Sequence, residues 1–251
     1  MLDLNNKHVL ICGGSRGIGA AVSRFAAEAG AKVSINYRSN KEAADNLVKE
    51  IVDAGGSAFA VQGDISKERE TINIVNDAIT KFGELDGLVI SAGIFEGLKL
   101  EEMSTDFWDR TMDVNLKSNF LVLKAARESL IKNGGGSVVF ITSTAGQRGS
   151  DVFSAYATSK GGQIMFMRSM ARELAPFRIR TNCVAPGWTE TDMSTDKIDE
   201  FGRDDIIESI PLGRIGRPED PAAAVVFLLS DLAQFITGST ITVDGGFDMR
   251  G

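Results

Sequence analysis

The sequence predicts an α/β fold: one doubly wound, parallel, seven-stranded sheet with helices on both faces. Two observations carry this expectation. Short apolar runs of strand length alternate with longer segments of helical period along the chain. No linker, repeat or low-complexity tract interrupts the alternation. Regular β-α alternation requires a parallel sheet covered on both sides, and right-handed crossovers make it doubly wound. At 251 residues the chain can bury a sizeable core. Since α/β chains of roughly 200–250 residues are often one domain, residues 1–251 are read as a single domain.

The elements follow in order. Residues 8–12 read as the first strand, running into glycines, and 17–29 as a helix ended by Gly30. Residues 32–36 are the second strand, 41–54 a helix stopped by Gly55 and Gly56, 58–62 the third strand and 67–82 the third helix. Residues 88–91 form the fourth strand. Residues 107–132 carry a helical pattern with a break near 113–115, and the glycines at 134–136 turn into a fifth strand at 137–142. A long helix at 154–175 precedes the sixth strand, 180–185. A helix at 221–230 precedes the last strand, 240–243. The one long segment between sheet elements, about 187–217, is expected to be a lid.

Composition narrows the function classes. A net charge of −7 argues against nucleic-acid and anionic-membrane partners. Two cysteines, Cys12 and Cys183, in apolar strand-like runs read as buried free thiols, which fits a reducing, cytoplasmic compartment. No run approaches the roughly 18 apolar residues of a span, no basic leader opens the chain, and no metal site is expected.

In doubly wound sheets ligands bind beyond the carboxyl ends of the strands. After the first strand, Gly13, Ser15, Arg16, Gly17, Ile18 and Gly19 form a G-x-x-x-G-x-G turn that opens a helix. Glycines allow the sharp turn and the close approach of a pyrophosphate, and the helix start supplies free N–H groups. A P-loop fits poorly, because no Gly-Lys-Ser/Thr follows. Together these features make the sheet Rossmann-type. After the second strand, NAD-specific sites usually place an acid. This chain has Asn36, then Arg38 and Ser39. Arg16 and Arg38 would grip a 2′-phosphate, so NADP(H) is preferred, with NAD(H) possible; two solvated surface arginines are the alternative. After the third strand, Asp64 and Ile65 would meet the adenine, with Ser66 free to cap the next helix.

Tyr156 and Lys160 lie four apart on the long helix and share a face. A phenol titrates near 10, too high for easy proton exchange at neutral pH. A neighbouring ammonium lowers that value, which would suit Tyr156 as a general acid/base. By spacing alone the pair also describes an ordinary surface contact. Ser143, just after the fifth strand, would hold a substrate oxygen or simply cap a turn. Asn115 by itself reads only as a helix kink.

The ordered set resembles the short-chain dehydrogenase/reductases from Lys7 to Gly246: Gly13, Gly17 and Gly19, Asp64, Ser91-Ala92-Gly93, Asn115, Ser143, Tyr156-x-x-x-Lys160 and Pro186-Gly187. The resemblance implies a catalytic tetrad of Asn115, Ser143, Tyr156 and Lys160, with Asn115 holding a water of a proton relay. It implies a nicotinamide loop in which Thr191 uses its hydroxyl and Thr189 its backbone. It also implies a homotetramer, paired through 107–132 with 154–175 and through the 237–251 tail. Cys12 and Ser91 depart from the usual Thr and Asn. The expected substrate is a ketone or a 3-oxoacyl thioester, in a pocket walled by Ala145, Gln147, Phe153 and Trp188 beside Ser143 and Tyr156. Lys132 and Arg178 only partly match carrier-protein docking residues. A sugar dehydrogenase of the same family and a non-catalytic NADP(H) sensor are the alternatives. A sugar-nucleotide epimerase would need a larger segment after Lys160.

Overall fold

The computed structural model of the protein describes residues 2–249, so Met1 and the last two residues of the expected interface tail lie outside the described residues. The expected fold class is the observed one. Seven parallel strands form one sheet in the order β3-β2-β1-β4-β5-β6-β7. They are β1 (His8–Cys12), β2 (Lys32–Tyr37), β3 (Ser57–Gln62), β4 (Gly87–Ile90), β5 (Gly136–Ile141), β6 (Ile179–Pro186) and β7 (Thr240–Val243).

The helices are α1 (Gly17–Glu28), α2 (Lys41–Asp53), α3 (Glu68–Phe82), α4 (Thr105–Met112), α5 (Ser118–Lys132), α6 (Ala145–Arg148), α7 (Ser154–Leu174), α8 (Thr195–Phe201), α9 (Arg203–Ser209) and α10 (Glu219–Leu229). The expected break at 113–115 is a π turn, Asp113–Lys117, between α4 and α5. Single π turns inside helices often mark functional sites.

Alternation along buried strands sends successive side chains to opposite faces. Val9 and Ile11 join the cluster under α1, α2 and α10, with Val22, Leu47 and Val225. Leu10 and Cys12 join the cluster under α3, α5 and α7, with Ile74, Val122 and Met167. Both faces of β1 are therefore fully buried, as its unbroken apolar run requires.

The strand order reverses between β1 and β4. Cys12 sits level with Asn36 of β2 and Ile90 of β4, so the segments after these strands emerge side by side. The region read as a lid holds two short helices, α8 and α9. They pack through Ile198, Ile206, Ile210 and Ile215 into a small apolar cluster with Trp188 and Phe247.

Candidate active site

A cleft of about 790 Å³ runs along the carboxyl edge of the sheet, from the turn after β1 to the lid. At one end Gly13, Ser15, Arg16, Gly17 and Ile18 line it. Gly13 has φ +74°, and a Cβ there would lie 2.7 Å from the Ala92 nitrogen. Only glycine permits that turn and that proximity. Gly19 is behind the cleft, packed on the Gly13 carbonyl. No side chain caps α1, so its first N–H groups are available to an anion.

The two departures from the usual motif are bridged by backbone. The Cys12 carbonyl accepts the N–H groups of Ser91 (2.9 Å) and Ala92 (3.1 Å). The loop after β4 is held without help from the Cys12 or Ser91 side chains. Burial pushes both thiols, Cys12 and Cys183, up to about 12, which makes them inert.

Beyond β2, Asn36 is buried and its side chain is already engaged. Its Nδ2 donates to the carbonyls of Val61 (3.3 Å) and Gly63 (3.1 Å). Its Oδ1 accepts the Gly13 N–H at 3.4 Å. Asn36 therefore ties three strand ends together rather than offering a free amide. Tyr37, Arg38 and Ser39 follow it along the cleft. Asp64 also differs from expectation: its Oδ1 accepts the N–H (2.9 Å) and hydroxyl (2.7 Å) of Ser66. Ser66 is thus a donor to Asp64 and not the cap of α3. Burial alone would raise the Asp64 carboxyl, and the Ser66 bonds outweigh it to hold the group below its usual value. Ile65 lines the cleft beside it. Arg16 reaches across to Asp192, at 3.5 Å, on the segment entering the lid.

At the far end of the cleft stand Ser143, Tyr156 and Lys160. Thr142 and Thr144 continue from β5 by donating backbone N–H groups to Val184 and Pro186, which pins Ser143 between them. The Ser143 Oγ accepts the Ala145 N–H at 3.1 Å. Lys160 is buried and donates to the Ile141 carbonyl at 3.0 Å. Its Nζ lies 5.6 Å from the centre of the Tyr156 ring.

The electrostatics reverse the expected sign for Tyr156. Burial pushes the phenol up to about 12, with Ser143 opposing. Burial also lowers Lys160 to about 8. The lysine's proximity does not outweigh desolvation of the phenolate, because the lysine's own charge is disfavoured in the same dry site.

Asn115 is fully buried on the π turn and is not part of the cleft wall. Its Oδ1 accepts the Ile94 N–H at 2.8 Å, and its Nδ2 donates to the Ile94 carbonyl (3.0 Å) and Ser159 Oγ (3.2 Å). That side chain clamps the loop after β4, and Ser159 donates onward to the Tyr156 carbonyl. Gly93 stands in front of it; a Cβ there would lie 3.5 Å from the Lys160 Nζ.

A family model described as enoyl-(acyl carrier protein) reductase matches residues 13–248. The chain belongs to the short-chain dehydrogenase/reductase family. It is 38% identical to a 3-oxoacyl-[acyl-carrier-protein] reductase of Synechocystis sp., over 99% of this chain and 100% of the relative. It is 37% identical to the corresponding enzyme of Staphylococcus epidermidis, over 97% and 100%. A short-chain type dehydrogenase/reductase from Mycobacterium ulcerans superposes with a TM-score of 0.92 at 34% identity, covering 98% of this chain and 91% of that one. A short-chain dehydrogenase/reductase from Serratia marcescens gives the same score and identity, with 98% and 99% covered. The protein is an oxidoreductase acting on a carbonyl or secondary-alcohol group.

In this dehydrogenase/reductase the end of β6 brings Pro186, and the loop after it Gly187, Trp188, Thr189 and Thr191, to the cleft. Ser194, which no spacing in the sequence marks, knots that loop. Its Oγ donates to the Thr189 carbonyl and bonds the Thr191 hydroxyl at 3.0 Å. Of the four expected pocket walls, Ala145, Phe153 and Trp188 line the cleft, and Gln147 does not. Gln147 is on the outer side of the one-turn α6, where its amide pairs with the Thr242 hydroxyl at 3.2 Å. Arg148, the next residue, lines the cleft and lies over the Phe247 ring at 4.6 Å.

Two aromatic residues that the sequence did not single out complete the wall. Phe95 stacks on Phe153 with centres 4.5 Å apart and meets the Tyr156 ring at 4.8 Å. Phe201 approaches from the lid.

Lys132 and Arg178 sit at the amino ends of β5 and β6, the far side of the sheet from the cleft. The 21 residues of α7 span about 31 Å between the two ends. No helix among the described residues is long and apolar enough to cross a membrane.

Proposed function

We propose that the protein interconverts a carbonyl and a secondary alcohol with NADP(H), with Tyr156 moving the proton. The observation that carries this reading is the convergence of Ser143, Tyr156 and Lys160 at one end of a single cleft. Its other end is an uncapped helix start behind the Gly13 turn.

The residues fit a dinucleotide. The α1 start and Gly13 would take the pyrophosphate, Arg38 and Arg16 a 2′-phosphate, and Asp64 and Ile65 the adenine. Thr189 and Thr191 would take the carboxamide, with Pro186 and Gly187 beneath the ring. No acid follows β2, which favours NADP(H) over NAD(H). When bound, the cofactor supplies or accepts the hydride.

The chain's own groups do the rest. Ser143 holds the substrate oxygen on which charge develops. Tyr156 donates the proton in reduction; the phenol held protonated by burial is the competent form for that direction. Lys160, half-discharged near pH 8, assists the phenol and resupplies the proton. Asn115 positions the loop that carries Gly93 against Lys160. A ketone or a 3-oxoacyl thioester fits the acyl-carrier reductases among the relatives. The family resemblance also supports a homotetramer and a cytoplasmic setting.

Tyr156→Phe is expected to lower kcat by several orders of magnitude while NADPH still binds, as read by quenching of protein fluorescence. A Phe variant with near-normal turnover would remove Tyr156 from this role.

A further inference from the structure

The substrate end of the cleft has a chemistry of its own. Four aromatic rings from four separate segments form a chain of contacts that reaches Tyr156 through Phe95. Phe95 comes from the loop after β4 and Phe153 from the start of α7. Trp188 comes from the loop after β6 and Phe201 from the end of α8. Phe95 and Trp188 approach to 6.2 Å, Phe153 and Phe201 to 5.9 Å, and Trp188 and Phe201 to 6.0 Å. These separations fall within the 4.5–7 Å range of favourable ring pairs. Phe201 keeps 46% of its surface exposed. A large apolar ring left open at a cleft mouth, next to two other rings, is surface that an apolar guest would cover.

The electrostatics of the mouth add an independent constraint. Residues 195–209 of the lid carry six acidic and two basic side chains. Both basic groups are already paired, Lys197 with Glu200 at 2.6 Å and Arg203 with Glu190 at 2.9 Å. Arg148, laid over Phe247, is one cation against this field. A carrier protein recognised through basic docking residues is acidic, and such a body is repelled by an acidic lid. Phe95 and Phe153 are the rings nearest Tyr156, but Ser150, Asp151, Asp205 and Ser209 also line the cleft, so glucose is a competitor to be tested.

We propose that the substrate is a free, uncharged ketone bearing an aromatic ring on the carbonyl carbon. The ring lies on the open side of Phe201 at the cleft mouth, beside Phe153 and Trp188, because rings already 5.9–6.2 Å apart leave no slot for another between them. This rests on the carbonyl-reductase reading above. In reduction the carbonyl carbon gains a hydride from NADPH and the oxygen gains a proton from Tyr156. Ketone, NADPH and one proton become secondary alcohol and NADP⁺.

Two measurements test it. In the first, kcat/KM with NADPH is compared for acetophenone, 2-octanone, acetoacetyl-CoA and a 3-oxoacyl carrier-protein thioester, with glucose and NADP⁺ in the oxidative direction. Acetophenone is expected to lead. Phe201→Ala is expected to raise its KM on the order of tenfold while leaving kcat and the melting temperature near wild type. In the second, 1-phenylethanol is titrated into the protein without turnover. Saturable quenching of fluorescence in a Trp108→Phe background, where Trp188 is the remaining tryptophan, is expected.

A preference for the carrier thioester, for 2-octanone or for glucose overturns the proposal while leaving the carbonyl chemistry standing. So does equal response of acetophenone and 2-octanone to Phe201→Ala, or the lack of saturable quenching. Absence of NADPH oxidation with every ketone would instead overturn the carbonyl-reductase reading.

Discussion

Lys160 concentrates the chemistry of the site into one buried amine. Its folded-state value near 8 lies below the ordinary 10.5, so the sign of its pH dependence is fixed. Between about pH 8 and 10.5 the unfolded chain binds the proton that the folded chain has released, and stability from this group rises with pH across that window. Below pH 8 the fold carries the full cost of a buried ammonium. Urea midpoints of the cofactor-free protein are expected to show this rise relative to Lys160→Met, in which the slope from this group vanishes. Identical pH profiles for the two proteins would mean that Lys160 keeps an ordinary value. The same residue explains why spacing misjudged Tyr156. A four-residue interval reports that two side chains share a helix face. It does not report whether that face is dry enough to discharge the amine.

At the scale of elements, the site depends on α6 lying directly on α7. A Cβ on Gly146 would come within 2.6 Å of the Lys160 carbonyl carbon, a backbone atom that cannot move aside cheaply. Gly146→Val is expected to destabilise the fold by about 2 kcal/mol through overpacking and to lower turnover by displacing Ser143. A thermal melt with steady-state kinetics checks both; a variant unchanged in both would show that the two helices slide freely.

The seven strands and the long helices were legible because their apolar periods persist for whole elements. The π turn was legible only as an interruption, since Asn115 breaks the pattern without saying how the backbone accommodates it. The short helices α8 and α9, with seven residues each, were not legible. Two turns are too few to establish a period. Gln147 and Arg148 show the same limit at finer grain, because on a one-turn helix the sequence cannot say which of two neighbours faces inward. Phe95, Ser194 and Phe201 carried no motif; the fold brings Phe95 to Tyr156 and Phe201 to Phe153 and Trp188, while Ser194 knots Thr189 and Thr191.

At the scale of the whole molecule, the outer faces of α4, α5 and α7 display Trp108, Phe120 and Met165, which are 38%, 47% and 53% exposed. Phe235, near the edge strand β7, is fully exposed. Two separate apolar surfaces of this kind suit the two interfaces of the proposed tetramer. Light scattering after size exclusion is expected to return four times 26.9 kDa. Phe120→Asp is expected to shift that mass downward without loss of helix content, and a monomeric wild-type protein would rule the tetramer out. The lid carries a different consequence. Thr189 and Gly216 pair as an isolated parallel bridge, with Gly216 donating to Trp188 and Glu190 donating to Gly216, both at 2.9 Å. The two ends of the segment are therefore tied to each other just beyond β6. Because its ends are already joined, a change in its length costs little loop-closure entropy, which grows only logarithmically with residue number. The stretch of chain between the Ser194 knot and Gly216 can be exchanged without disturbing Thr191 or the closure at the bridge. A lineage can replace it to accept a new carbonyl compound while the proton-transfer machinery beneath is inherited unchanged.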